Sequence, residues 1–160
     1  MGNSATFLLK GAVVIGENLY ERDFYSWSCQ QAELLRDRKF DQVDWSNVIE
    51  EIEDLGRSEY RALVSALEQL TLHLLKWQYQ PQYRSPSWRH SIDKQRIKIE
   101  RILEDNPGLV SRREEVVAKG YKYGRKGASK ETFLEENVFP DVCPYVWEEL
   151  LDEQFFPELF

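Results

Sequence analysis

Acidic residues one helical turn apart are the first feature of this sequence that could do chemistry. Glu50, Glu51 and Asp54 match the first half of a Glu-Glu-x-x-acid pattern. On a helix such side chains project together and can hold Mg²⁺ on a phosphate substrate. The second half of the pattern, Glu-x-x-Asp, does not occur between residues 60 and 140. We therefore assign no catalytic residue, and a Mg²⁺-dependent nucleotide phosphohydrolase that uses these three acids is the alternative function.

Two further polar residues are predicted to have structural roles in a helix core. Helical projection places Glu59 in an apolar sector beside Leu55 and Leu63, and it places His73 at the edge of the same sector. Burying a carboxylate without a hydrogen-bond donor costs several kcal/mol. We therefore expect Glu59 to be buried and bonded to a Tyr, Trp or Arg, and His73 to be a core or boundary residue rather than a ligand.

The residues that usually build metal and cofactor sites are scarce. The sequence has two histidines, neither in a Glu-x-x-His pattern, and its two cysteines, Cys29 and Cys143, lie far apart. No glycine-rich phosphate loop is present. This inventory predicts no metal site made of histidine or cysteine, no cofactor and no cysteine nucleophile.

An aromatic and basic stretch runs from Trp77 to Arg101. Within it six Lys and Arg residues stand against two Asp and Glu residues, a local charge of +4 in a chain of net charge −7. Aromatic rings with arginines can form the centre of a protein interface, or can stack bases and hold phosphates. They can also simply pack the end of a helical bundle. The residues predicted to bind a partner are Tyr79, Tyr83, Arg84 and Arg89, with Trp77 and Trp88 turned inward.

The elements that position these residues follow from helical periodicity. Apolar residues at helical spacing predict helices over about 19–38, from an N-cap at Asp44 to about 78, over about 88–105 and after Pro107. Gly56 is expected to mark a bend or a close helix contact, and Pro144 precedes a short last helix. The pattern predicts an all-α fold, an antiparallel bundle of about four main helices plus a short C-terminal helix. Residues 1–18 are predicted to be an N-terminal tail and residues 19–160 a single helical domain.

Composition limits the cellular setting and the class of partner. The chain has 160 residues, and none of its segments approaches the ~20 apolar residues that span a membrane. Neither a signal peptide nor a disulfide framework is indicated, so we expect a cytoplasmic protein with no membrane partner. Because the whole-molecule charge repels phosphate, a protein partner is favoured over nucleic acid.

Several motifs together resemble one known family. They are Asp23-Phe24-Tyr25 with Trp27, residues 50–59 (EEIEDLGRSE), residues 73–81 (HLLKWQYQP), Ser87-Trp88-Arg89, and Phe139-Pro140 with Cys143-Pro144-Tyr145. This set, spread from Leu19 to Pro157, resembles the bacterial domain of unknown function 29 family, which is common in cyanobacteria. The resemblance implies a helical fold and brings no established activity, cofactor or catalytic residue.

The absence of a complete catalytic pattern and the presence of one aromatic-basic surface lead to a functional expectation. We expect a non-catalytic bacterial protein-interaction or accessory module with an unidentified protein partner. The phosphohydrolase is the first alternative and a nucleic-acid-binding helical module is the second.

Overall fold

The fold is all-helical, as predicted. A computed structural model of the chain describes residues 18–158, so the predicted tail lies outside the described residues except for Asn18. Within that range the chain forms helices joined by short turns, with no β-strand. The chain divides into two compact units, with the boundary between Asp54 and Leu55. The assignment of residues 19–160 to a single domain stays a prediction.

Six α-helices follow one another in the described part of the chain. They are α1 (Leu19–Arg22), α2 (Phe24–Arg36), α3 (Trp45–Tyr79), α4 (Pro86–Asp105), α5 (Arg113–Thr132) and α6 (Trp147–Leu151). Single turns of 3₁₀ helix occupy Phe40–Gln42, Pro81–Tyr83 and Glu136–Val138, and a longer one, Pro107–Arg112, leads into α5. Four of the six α-helices are long, and the short α6 closes the bundle as expected.

The first unit, which ends at Asp54, contains a break that periodicity did not predict. Asp23 separates α1 from α2, and its carboxylate accepts a hydrogen bond from the Ser26 amide as the N-cap of α2. The prediction of one continuous helix over 19–38 is therefore wrong, because a side-chain cap competes locally with helix continuation. The small core of this unit is formed by Trp27, Val43 and Val48.

Asp44 begins α3 as the sequence predicts. Its carboxylate accepts bonds from the Asn47 amide at 3.4 Å and from the Trp27 Nε1 atom at 3.2 Å. The Gln31 side chain in turn accepts from the Asp44 amide at 2.8 Å. The hydrogen bond from the Asn47 side chain is the main cause that lowers the pKa of Asp44. This cap therefore joins the start of α3 to α2.

The core of the second unit, from Leu55 onward, is built on α3. Leu63, Leu67, Leu70 and Leu74 are fully buried at the spacing that the sequence predicts. Ile92 and Ile99 of α4, Val116 of α5 and Leu150 of α6 belong to the same buried cluster.

Glycines in α5 create a close approach to α3. A Cβ atom on Gly120 would lie 2.7 Å from the Cβ atom of Leu67, and one on Gly124 would lie 2.7 Å from the Glu68 carbonyl oxygen. Both glycines are buried, and α5 continues through them to Thr132. The glycines thus permit backbone contact. The close helix contact expected at Gly56 is wrong, since no atom of the described residues lies within 4 Å of its added Cβ, and a bend at this glycine stays a prediction.

Candidate functional site

The acids of the alternative enzyme hypothesis lie near the start of α3. The Tyr20 hydroxyl donates to Glu51 at 2.5 Å, and this bond is the main cause that raises the pKa of Tyr20 to about 12. Glu50 is exposed, and Asp54 has an interaction within the chain. Over residues 18–158, no three His, Cys, Asp or Glu side chains are grouped so that they could hold a metal ion. One of the three carboxylates therefore accepts a bond from a tyrosine of the same unit.

Glu59 does not occupy the position expected for it. Its side chain is exposed and accepts a bond from Asn106 Nδ2 at 3.3 Å. The prediction that Glu59 is buried is wrong, because α4 ends at Asp105 and Asn106 caps it, leaving this turn of α3 at the rim of the second unit. Helical projection gives the direction of a side chain and not the extent of the neighbour that covers it.

His73 lies at the boundary of the core. The residue is half-buried, and its Nδ1 atom lies 2.8 Å from the carbonyl oxygen of Gln69 in the same helix. Burial is the main cause that lowers the pKa of this imidazole. These contacts give His73 a local partner within α3.

The four residues predicted to bind a partner lie around the turn between α3 and α4. Tyr79 is half-buried with its ring 5.0 Å from that of Phe139, while Tyr83 is 61% exposed. The Arg84 Nε atom donates to the Trp77 carbonyl oxygen at 2.9 Å, and its guanidinium lies over the Trp77 ring. Arg89 is exposed, and its guanidinium lies 4.7 Å from the centre of the Phe156 ring. Three of the four thus have contacts within the second unit, and their binding of a partner stays a prediction.

Residues 155–158 cover part of this predicted surface. The ring near Arg89 belongs to Phe156, which also lies 4.9 Å from the ring of Trp77. Arg84 forms an ion pair with Glu158, with Nη2 and Oε2 2.9 Å apart. Residues 155–158 of the chain itself therefore contact the aromatic and basic residues around the α3–α4 turn.

Arg96 is a buried residue that periodicity and composition did not single out. It is 3% exposed, and burial is the main cause that lowers its pKa. Its guanidinium donates to the carbonyl oxygens of Leu150 at 3.0 Å and Phe155 at 2.7 Å. A signal was present in the sequence, because Arg96 falls at helical spacing between Ile92 and Ile99 on the apolar face of α4.

The first unit carries an exposed row of large apolar residues, which we call the α3 stripe: Phe40, Trp45, Ile49 and Ile52. Their exposed fractions lie between 46% for Trp45 and 63% for Ile52. Trp45, Ile49 and Ile52 fall at the same helical spacing as the buried leucines further along α3, yet they are exposed in this unit. The reason is that α3 buries a different face there, the one that carries Val48.

Two contacts join Phe40 and Trp45, which form one end of the α3 stripe. Trp45 Nε1 donates to the Phe40 carbonyl oxygen at 2.9 Å, and the two rings lie 6.4 Å apart. Residues 40–54 contain six Asp and Glu residues and no Lys or Arg. The Phe40 and Trp45 rings are therefore held against each other, and the stripe lies within a strongly acidic segment.

A groove of about 500 Å³ opens in the second unit beside α5. Tyr121, Tyr145 and Trp147 form part of its wall, with the half-buried Cys143. The Cys143 thiol contacts the Tyr145 carbonyl oxygen at 3.5 Å, and burial is the main cause that raises its pKa to about 11. Three basic and four acidic residues line the groove, so its charges select no ligand class.

Comparison with known proteins places this chain in a family. The family model described as "Domain of unknown function DUF29" matches residues 19–156. The chain belongs to this family, as its motifs suggested. Among curated proteins and solved structures, no significant match is found. Within the described residues, no helix combines the length and apolar character required to cross a membrane.

Proposed function

We propose that this chain is a non-catalytic interaction module of the bacterial cytoplasm, and that it binds a protein partner through the α3 stripe. The observation that carries the proposal is the exposure of four large apolar side chains in one row. Scattered exposed apolar residues are normal on a protein surface, whereas a contiguous row is typical of an interaction site.

The structure of the stripe favours binding by a preformed surface. Trp45 is anchored to the Phe40 turn, so its ring loses little freedom when a partner covers it. Tryptophan at the centre of an apolar patch is a frequent source of binding energy in protein interfaces. Ile49 and Ile52 follow Trp45 at four and seven residues. This spacing places the three side chains on one helix face, against which a partner helix can pack.

Charge selects the chemistry of the partner. The segment that carries the stripe has six acidic residues and no Lys or Arg, so an apolar partner face edged by Lys and Arg is complementary. The same charge opposes nucleic acid and opposes a second copy of this surface. We therefore commit to an amphipathic helix of a partner protein, with apolar side chains at helical spacing and basic residues beside them.

A designed peptide tests the proposal without knowledge of the natural partner. The probe is a fluorescein-labelled amphipathic helix of about 20 residues with leucines on one face and lysines on the other, read by fluorescence anisotropy. We expect the chain to bind it, and to bind the same peptide with glutamates in place of lysines more weakly. Ile52→Ser should weaken binding by roughly tenfold or more, because Ile52 is the most exposed member of the stripe and the substitution removes its apolar contact.

The matched control is Ile97→Ser, which alters an isoleucine of α4 that is 45% exposed. It should leave peptide binding unchanged. Absence of binding by the lysine peptide, or equal loss in both variants, would contradict the proposal. A dimer in solution that Ile52→Ser dissociates would show that the occupant is a second copy and not a basic helix.

A further inference from the structure

Residues 155–158 lie on the second unit without forming a helix or a strand. They follow residues 152–154, all of which are exposed. Among the described residues, the segment has one hydrogen bond between main-chain atoms, which joins the Phe155 amide to the Asp152 carbonyl oxygen at 3.1 Å. The segment is therefore held in place by side chains, most of them on α3, on α4 and in the turn between them, together with the Tyr145 ring, which lies 5.8 Å from that of Phe155. We call the side chains on the two helices and the turn the arginine cradle: Trp77, Gln78, Arg84, Arg89 and Arg96.

The arginine cradle contacts the main chain of the segment. Arg96 Nη2 donates to the Phe155 carbonyl oxygen at 2.7 Å, and Arg84 Nη2 donates to that of Pro157 at 3.4 Å. Gln78 Nε2 donates to the Glu158 carbonyl oxygen at 3.0 Å. Side-chain donors of the cradle thus pair with three of the four carbonyl oxygens of residues 155–158.

The cradle also contacts the side chains of the segment. The Phe156 ring lies 4.9 Å from the Trp77 ring and 4.7 Å from the Arg89 guanidinium, and Pro157 is buried. The Glu158 carboxylate receives two bonds from Arg84, at 3.2 Å and 2.9 Å. A paired bond of this kind is specific for a carboxylate in that position. The recognised chemistry is therefore an aromatic residue, a proline and an acid in sequence.

Two features show that the present occupant fits the cradle incompletely. The Nε1 atom of Trp77 is buried and has no acceptor among the described residues, although a buried donor normally has one. The Glu158 side chain is 76% exposed, and ion pairs at exposed positions contribute little to stability. With residues 155–158 in place, the Trp77 Nε1 donor therefore has no acceptor among the described residues, and the Glu158 carboxylate remains largely exposed to solvent.

We propose that the arginine cradle is a docking site for an extended aromatic-Pro-Glu segment of a partner protein, and that residues 155–158 are its competing intramolecular occupant. The cradle contains Arg84 and Arg89, which the sequence predicts to bind a partner. A partner segment binds when the chain's own segment leaves, so its apparent affinity equals its affinity for the open cradle multiplied by the fraction of molecules in which the cradle is open. This proposal is independent of the α3 stripe, which lies in the other unit.

The test uses the full chain and a labelled peptide with the sequence of residues 152–158, Asp-Glu-Gln-Phe-Phe-Pro-Glu. Phe156→Ala removes the ring that the cradle holds and leaves every cradle residue in place. We expect this variant to bind the peptide at least tenfold more tightly than the unaltered chain. Adding Arg84→Ala to the variant should abolish the gain, and a peptide with its last Glu replaced by Lys should bind more weakly to the single variant.

A Phe156→Ala chain that melts cooperatively and binds the peptide no more tightly than the unaltered chain would overturn the proposal. If that variant does not fold, a protease site is placed in the exposed residues 152–154 of the otherwise unaltered chain, which is cleaved after folding. Exchange of the cleaved segment for the labelled peptide, with the helical circular dichroism preserved, supports the proposal. Failure to exchange, or unfolding on release, shows that the segment is a fixed part of the fold and overturns it.

Discussion

The Nη2 atom of Arg96 lies 2.7 Å from the carbonyl oxygen of Phe155, inside the second unit. The same guanidinium donates to carbonyl oxygens of Glu149 and Leu150, which lie in the last turn of α6. The last carbonyls of a helix have no partner within the helix, and they carry the negative end of its dipole. Arg96 therefore satisfies these acceptors with a buried positive charge.

This arrangement predicts a large loss of stability for Arg96→Met. The substitution keeps a long apolar side chain but leaves buried carbonyl oxygens without a donor, so we expect the free energy of unfolding to fall by about 3 kcal/mol. Urea denaturation followed by circular dichroism measures the change. The control, Lys98→Met at an exposed position of the same helix, should stay within about 0.5 kcal/mol. Equal effects of the two substitutions would show that the Arg96 contacts contribute little.

Substitution by alanine should change the free energy of unfolding in opposite directions at Gly124 and at Gly56. An added methyl group on Gly124 would lie 2.7 Å from the Glu68 carbonyl oxygen, so the helices must separate, at a cost of about 1–3 kcal/mol. Gly56 lies in α3 with open space around it, and there alanine should stabilise by about 0.5–1 kcal/mol through its helix propensity. Thermal melting of the two variants gives both values. A stabilising Gly124→Ala would contradict the close approach of α5 to α3.

Cys143 and Cys29 should differ strongly in their reaction with iodoacetamide. Burial raises the pKa of the Cys143 thiol to about 11, while Cys29 is exposed. Because the thiolate is the reacting form, Cys29 should be alkylated first at pH 8, and Cys143 only slowly in the folded chain. Mass spectrometry of the Cys29→Ser and Cys143→Ser variants assigns the two rates. Similar rates at both positions would show that the Cys143 thiol is not protected.

The raised pKa of Cys143 also sets the direction of a pH effect on stability. The folded state keeps the proton more tightly than the unfolded state, in which the thiol has its ordinary pKa of 9.0. This contribution to stability is complete below pH 9 and is lost as the pH rises towards 11. Cys143→Ser removes the titrating thiol, so the difference in melting temperature between the unaltered chain and this variant should shrink over that interval. A constant difference would contradict the assignment.

The helical elements could be predicted from the sequence, because the signals that define them are local. Asp44 caps α3, Ser85 and Pro86 begin α4, and Asn106 ends it, each through bonds or backbone restrictions within a few residues. The spacing of leucines in the second half of α3 correctly predicted the main core. The motifs were also sufficient to assign the family. The helix ends and the family assignment do not depend on how far a neighbouring helix extends.

Which faces of those helices are covered became visible only in the folded chain. The same apolar spacing along α3 is buried at Leu63 and exposed at Ile52, and Glu59 is exposed although its projection is apolar. Arg96 belongs by sequence to the basic stretch, yet it is buried because distant carbonyl oxygens supply its acceptors. Burial depends on partners far away in the chain, and helical periodicity contains no information about where those partners begin and end.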